Sequence, residues 1–196
     1  MADLYYTIQK EGEGLYKEKM SRFLSFALPV ENVEEARAKI KQYQNLYHDS
    51  RHVCWAYMIG PQRDEWQLND NGEPSGTAGK PILGQINSKN LTNVLVIVVR
   101  YFGGIKLGTS GLIVAYREAA REALDNAGII ECHDMAEIAF QFDYESMNEI
   151  MKIIKALDLE IVSREMNNIC LFRLSVRKDH EEEIISRLSD KGARFL

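Results

Sequence analysis

The chain reads as an α+β protein of two domains, and three features predict this. An apolar run, Val94-Leu95-Val96-Ile97-Val98-Val99, leads through a glycine-rich loop into a long amphipathic helix pattern. Composition then resets near His133-Asp134. Beyond that point the order is strand, helix, strand, strand, helix, strand, which is the split βαβ arrangement of a ferredoxin-like fold. The expected division is 1–132 for an α+β domain with mixed connections and 135–196 for the ferredoxin-like βαββαβ domain.

Each element has its own signal. Met20 to Leu28 alternates, is rich in Phe and Leu, and is closed by Pro29, so it predicts a strand. Asn32 with Glu35 forms an N-x-x-E cap, after which Val33, Ala36, Ile40, Tyr43 and Tyr47 recur at helical spacing. His52 to Ile59 is a second strand, broken by Gly60-Pro61. Residues 61–80 are polar and turn-rich and read as a loop, and Pro81 suits the first turn of a helix through about Asn87. After Gly111 the residues Leu112, Ala115, Tyr116, Ala119, Ala120, Ala123, Leu124 and Ala127 fit a 3.6-residue period, and Gly128 stops the helix. Ile129 to Cys132 is a short strand.

In the second domain Glu137 to Tyr144 predicts a strand, and Met147, Ile150, Met151 and Ile154 mark a helix. Leu159–Met166 and Ile169–Val176 form a hairpin across Asn167-Asn168. Asp179 with Glu182 caps a helix carrying Ile184, Ile185 and Leu188, and Ala193 to Leu196 is a last strand.

The composition excludes several classes. With 196 residues, 45% of them hydrophobic, the chain can build two small cores. No apolar run approaches the ~20 residues of a membrane span. The N-terminus lacks a signal-type segment, so a soluble cytoplasmic protein is expected. Cys54, Cys132 and Cys170 are widely spaced without C-x-x-C, which argues for buried thiols rather than zinc or disulfides. Net charge is -5, with 15 Lys/Arg against 16 Asp/Glu in residues 1–131 and 9 against 13 in the rest. Indiscriminate nucleic-acid binding by overall charge is therefore not expected, which leaves a local basic patch in the first domain.

The chemistry gathers in two loops. In the first, Gly103, Gly104, Gly108 and Gly111 flank Lys106, Thr109 and Ser110 at the start of a helix. Glycine lets backbone approach a ligand, free N–H groups of a first helical turn favour an anion, and Lys106 adds charge. The other reading is that these glycines only permit tight packing and Ser110 only caps the helix. In the second, Gly76-Thr77-Ala78-Gly79-Lys80-Pro81 also opens a helix. It is not a triphosphate P-loop, because Pro74 stands where the first glycine belongs and Pro81 where Ser/Thr belongs. The two loops can still converge on one cleft.

Glu73 is a base or metal-ligand candidate, although a solvated turn carboxylate is the expected reading. His48 and His52 are four apart without a third ligand, so no metal site is expected. Tyr101 and Phe102 either stack on a base or divide between core and strand end. Arg22 either pairs with an acidic group or faces an anion.

Two long motifs carry a resemblance. Asp70-x-Gly72-Glu73-Pro74-Ser75-Gly76-Thr77-Ala78-Gly79-Lys80-Pro81 and Val98-Val99-Arg100-Tyr101-Phe102-Gly103-Gly104-Ile105-Lys106-Leu107-Gly108 resemble the YigZ/Impact family in its bacterial two-domain form. Lys19-x-Ser21-Arg22-Phe23 and Arg51-His52-x-Cys54 also look like family positions. The resemblance implies a first domain similar to domain two of small-subunit ribosomal protein S-five and to domain IV of elongation factor G. It implies a second domain similar to domain V of that factor, which is ferredoxin-like.

Eukaryotic relatives regulate translation initiation during amino-acid starvation by binding a ribosome-associated activator of an initiation-factor kinase. They use a further N-terminal domain, and that partner is not carried over to this chain. Kinases with a first-domain-like fold hold ATP phosphate on a glycine-rich loop before a helix, which gives precedent for a ligand at Gly104–Gly111 without matching it residue by residue.

The expected function is a non-catalytic regulator of translation, ribosome-associated or RNA-binding through a basic glycine-rich cleft. Lys80, Arg100, Lys106 and the helix start at Ser110 would contact phosphate, with Gly103, Gly104, Gly108, Thr109 and Gly111 as backbone. Tyr101 or Phe102 would stack. Glu73, Ser75, Gly76, Thr77 and Gly79 form the secondary loop. The alternatives are an enzyme or binding protein for a small phosphorylated or carboxylated molecule, with Glu73 as base, and a protein-interaction module using the ferredoxin-like domain. No cofactor and no metal are expected, and no oligomeric state follows from the sequence.

Overall fold

The structure is a computed structural model that describes residues 4–196. The chain divides into two compact units, Tyr5–Cys132 and a second built on His133–Leu196.

The first unit is organised by a five-stranded sheet. Its strands are β2 (Gly12–Glu18), β3 (Ser21–Pro29), β6 (Val94–Tyr101), β4 (His52–Ile59) and β5 (Glu65–Asn69), in that spatial order. β1 (Leu4–Ile8) pairs instead with β7 (Ile129–His133) in a small separate sheet. Every ladder of the five-stranded sheet is antiparallel, and its connections are mixed, since β2–β3 and β4–β5 are neighbours in both sequence and sheet whereas β3 to β4 and β5 to β6 cross over.

Helices cover both faces. α1 (Val33–Leu46) packs Ala36 and Ile40 against Leu95, Ile97 and Val99. α2 (Gly79–Ser88) and α3 (Gly108–Ala127) pack against Val94, Val96 and Val98. A central strand buried on both faces has no polar side to show, which is why 94–99 is an unbroken apolar run.

The helices follow local rules with two exceptions. At α1 the Asn32 Oδ1 accepts from the Glu35 amide at 2.8 Å, and Glu35 Oε2 accepts from the Glu31 amide at 2.8 Å. In α3 the buried residues are the eight apolar positions of the sequence pattern, and Gly128 follows its last turn. That helix begins at Gly108, however, with Leu107 at the cap and no side-chain cap bond. Ser110 therefore lies inside the first turn and does not cap it. Gly108 sits at φ +74, a conformation glycine adopts freely, so the chain can turn into the helix there.

β1, β2 and β5 were not expected from the sequence. β5 falls in the segment 61–80 read as loop, because as an edge strand it exposes most of Glu65-Trp66-Gln67-Leu68-Asn69 and carries little apolar signal. β2 carries glycines where α3 crosses it. A Cβ on Gly12 would stand 2.2 Å from the Ala123 carbonyl oxygen.

The second unit has strands β8 (Met135–Phe142), β9 (Glu160–Met166), β10 (Cys170–Arg177) and β11 (Arg194–Phe195), ordered β11-β8-β10-β9 and antiparallel throughout. α4 (Met147–Ala156) and α5 (Glu181–Ser189) bury Ile150, Ile154, Ile184 and Leu188 with Phe140, Phe142, Phe172 and Leu174. This is the ferredoxin-like arrangement. Asp179 does not cap α5. It lies in a 3-10 turn, Lys178–His180, where it accepts from Arg177 Nη2 at 2.9 Å, so the helix starts two residues later. No helix among the described residues is long and apolar enough to cross a membrane.

Gly12→Ala is expected to cost about 1–3 kcal/mol, because α3 must move off β2 to admit one methyl. Urea unfolding with Gly84→Ala as control, where a Cβ meets nothing within 4 Å, checks this.

Candidate anion-binding cavity

Arg100 is the last residue but one of the central strand, and antiparallel register sets His52, the first residue of β4, directly opposite it. The loop between β5 and α2 brings Glu73 and Pro74 to the same end of the sheet, and the loop before α3 brings Phe102 and Lys106. These residues, with Arg51, Leu107, Gly108, Thr109 and Leu112, line a cavity of about 430 Å³. The two glycine-rich loops thus converge, though not through the glycines of the second.

Beneath the cavity lies a buried polar network. Glu73 Oε1 accepts from Arg100 Nη1 at 2.6 Å and from the Tyr116 hydroxyl at 2.7 Å. The Glu73 and Arg100 side chains are only 3% and 6% exposed. Glu73 Oε2 stands 3.7 Å from His52 Nε2. His52 Nδ1 is 2.7 Å from the Asn71 carbonyl oxygen, which can only accept, so Nδ1 carries the proton. The Arg100 guanidinium carbon lies 5.5 Å from the ring centroids of both Phe23 and Phe102.

Below, the Cys54 thiol donates to the Asp70 carbonyl at 3.0 Å and lies 3.4 Å from the Tyr116 hydroxyl. Burial pushes the Cys54 thiol well above its ordinary range, and nearby Glu73 and Asp70 push the same way. Burial, followed by Cys54 and Glu73, raises the Tyr116 phenol strongly. One expectation is corrected here. Glu73 is not a solvated turn carboxylate, because it neutralises a buried arginine. Arg100 lines the cavity with its charge already paired with that carboxylate.

The two helix starts differ in how their amides are met. At α2 the Asp70 carboxylate accepts from the amides of Gly76 (2.8 Å), Ala78 (3.1 Å) and Gly79 (2.8 Å), so the chain supplies its own anion. Thr77 Oγ1 donates to the Pro74 carbonyl at 2.6 Å, and Gly79 abuts Leu68. Ser75 and Lys80 are exposed and do not line the cavity. Of the secondary loop, only Glu73 and its neighbour Pro74 reach it. At α3 there is neither a side-chain cap bond nor an acidic residue in the first turn, and Gly108 and Thr109 face the cavity beside Lys106.

The remaining residues sort by contact. Gly103 is a packing glycine, since a Cβ there would lie 2.1 Å from the Met20 carbonyl carbon, and its amide donates to Ser21 Oγ at 3.2 Å. Ser110 and Gly111 line a different hollow with Tyr16, Glu18 and Lys19. Tyr101 packs on the α1 side, donates to Asp49 at 2.9 Å and carries the Arg22 guanidinium 5.2 Å from its ring centroid, so it is not in the cavity. Phe102 is, and it is 42% exposed.

Asp70, Arg51, His52 and Tyr116 were not singled out as site residues. The first three stand in the family motifs. Tyr116 was hidden because its ring belongs to the apolar stripe of α3. No group of three or more His, Cys, Asp or Glu among the described residues is placed to hold a metal ion.

The Impact N-terminal domain model matches residues 19–124. An Impact family member from Escherichia coli is 32% identical over 174 residues, 88% of this chain and 85% of that one. A member from Haemophilus influenzae is 33% identical over 183 residues, 91% of this chain and 87% of that one. One from Bacillus subtilis is 36% identical over 150 residues, 76% of this chain and 69% of that one. The crystal structure of a hypothetical protein, 27% identical, superposes with a TM-score of 0.75 over 100% of this chain and 98% of its own.

Two outcomes follow from the buried network. Glu73→Ala leaves the Arg100 charge uncompensated and is expected to cost about 3–5 kcal/mol in urea unfolding, most of it recovered in Glu73→Ala/Arg100→Met. The second concerns alkaline pH. The folded-state values of Cys54 and Tyr116 lie above the unfolded ones, so the unfolded chain releases these protons first as pH rises. Stability from these groups is full below the ordinary thiol value of 9.0 and falls above it, followed by the phenol from 10.0. Thermal melts between neutral and strongly alkaline pH should show the fall, with a smaller one in Cys54→Ala.

Proposed function

The chain belongs to the Impact family, and on that premise we propose that it is a non-catalytic regulator of translation whose first unit binds RNA, free or on the ribosome. The observation that carries the reading is the start of α3. It has no side-chain cap and no first-turn carboxylate, and it opens on a cavity with Lys106 and Arg51 at its lining. Partial positive charge on unmet amides, joined by two cations, suits a phosphate. Phe102 beside it offers a stacking face, which suits single-stranded RNA.

Three further points support the reading. The charge of the first unit is nearly balanced, so affinity would come from this patch rather than from the whole surface. The eukaryotic branch that the motifs resemble acts in translation. The Cys54 thiol is buried and held protonated, which suits it to structure rather than to nucleophilic attack.

RNA binding measured across salt concentrations tests this. Lys106→Ala and Arg51→Ala should each weaken binding and flatten the slope of log K against log salt by about 0.7, the value for one phosphate of a single strand. Both should reduce co-sedimentation with ribosomes. Lys80→Ala, outside the cavity, should change neither. If both cavity variants bind as the wild type does, the site is wrong, and if the wild type binds neither RNA nor ribosomes, the function is.

A further inference from the structure

The cavity has two kinds of wall. One is made of donors, namely the first amides of α3 and the Lys106 ammonium. The other is made of acceptors. His52 Nδ1 is committed to the Asn71 carbonyl, so in the neutral ring Nε2 presents a lone pair. Glu73 Oε1 already receives two donors, whereas Oε2 has no hydrogen bond among the described residues and only His52 Nε2 beside it, at 3.7 Å. The Glu73 side chain is 3% exposed and lines the cavity, so Oε2 is an acceptor open to a donor placed there. A phosphate would satisfy the first wall and bring no donor to the second. A ligand that suits both carries a donor close to its phosphate.

We propose that the cavity takes a ribose phosphate and reads its 2′-hydroxyl through His52 Nε2 and Glu73 Oε2, so that the protein distinguishes RNA from DNA. This rests on the RNA reading above. In a nucleic acid the phosphate and the deoxyribose ring carry no hydrogen-bond donor, and base donors change with sequence. The 2′-hydroxyl is the donor that stands beside a phosphate at every position of RNA and at none of DNA. The rest of the lining fits the same unit, because Phe102, Pro74, Leu107 and Leu112 give an apolar surface to the sugar and the base. A volume of about 430 Å³ lies within the ~300–1,000 Å³ of small-ligand pockets.

The test is fluorescence anisotropy of the full chain. It uses short single strands of one sequence in ribo, 2′-deoxy and 2′-O-methyl forms. The ribo strand should bind about tenfold or more tighter than either of the others, since both lack the donor. In His52→Ala the ratio of ribo to deoxy affinity should fall toward one. Adenosine 3′-monophosphate and its 2′-deoxy analogue, used as competitors, separate a free nucleotide from a strand. A ribo preference there, with full displacement, supports the same chemistry with the nucleotide as its source.

Equal affinity of all three strands overturns this inference and leaves the RNA reading standing. A 2′-O-methyl strand binding as tightly as the ribo strand also overturns it, because that group cannot donate. A His52→Ala protein that keeps the full ratio removes His52 as the reader, and if that variant fails to fold, the strand series in the wild type decides. No binding of any strand brings down the RNA reading and this inference with it.

Discussion

The ion pair between Glu73 and Arg100 is the interaction on which the functional end of the first unit depends. Arg100 extends the apolar run of the central strand by one residue, so its charge arrives at a place built for hydrocarbon. Two aromatic rings, Phe23 and Phe102, take up its faces, and one carboxylate takes up its charge. Burying such a charge without a partner is costly, so the loop carrying Glu73 is not free to wander. The same carboxylate oxygen receives the Tyr116 hydroxyl, which ties the loop to α3. Two residues earlier in that loop the Asn71 carbonyl meets His52 and its side chain accepts from the Val53 amide, tying the loop to β4. Its first residue, Asp70, holds the start of α2. One buried pair thus fixes where three elements meet.

The three helix starts of this unit show what that arrangement leaves over. α1 is met by Asn32 and α2 by Asp70, each a side chain of the chain itself. α3, the longest helix, has no such partner. The end that the local rules leave unmet is also the end that faces a cavity lined with cations. The anion site proposed above therefore rests on one helix start, not on both glycine loops as their similar composition suggests.

Much of the fold was legible because it is written in periodicity. The stripe of α3 and the cap at Asn32 depend on neighbours in sequence, and so does the hairpin at Asn167-Asn168. Edge strands were not legible, because β2 and β5 bury too little to impose alternation. The site was legible as two loops and illegible in its connections. Glu73 sits among Asp, Asn, Gly and Pro, and that composition says solvated turn. Its burial follows from Arg100, twenty-seven residues away across a sheet whose register no local pattern records. Ser110 and Asp179 failed as caps for a related reason. A capping side chain is a preference, and the start of a helix is set by where the backbone can turn.

The loop before α3 needs its glycines for two different reasons. Gly103 has no room for a side chain, because the backbone at Met20 occupies the place of its Cβ. Gly104 and Gly108 have ample room, with nothing within 4 Å of a Cβ, yet they hold φ at +88 and +74. Their glycine character is thus demanded by conformation and not by contact. Gly103 presses the loop onto the β2–β3 turn, while Gly104 and Gly108 bend it so that Lys106 and the first amides of α3 come to the cavity. Alanine at Gly103 and alanine at Gly108 would therefore fail for different reasons, the first by collision with the fold and the second by turning the helix start away from the site.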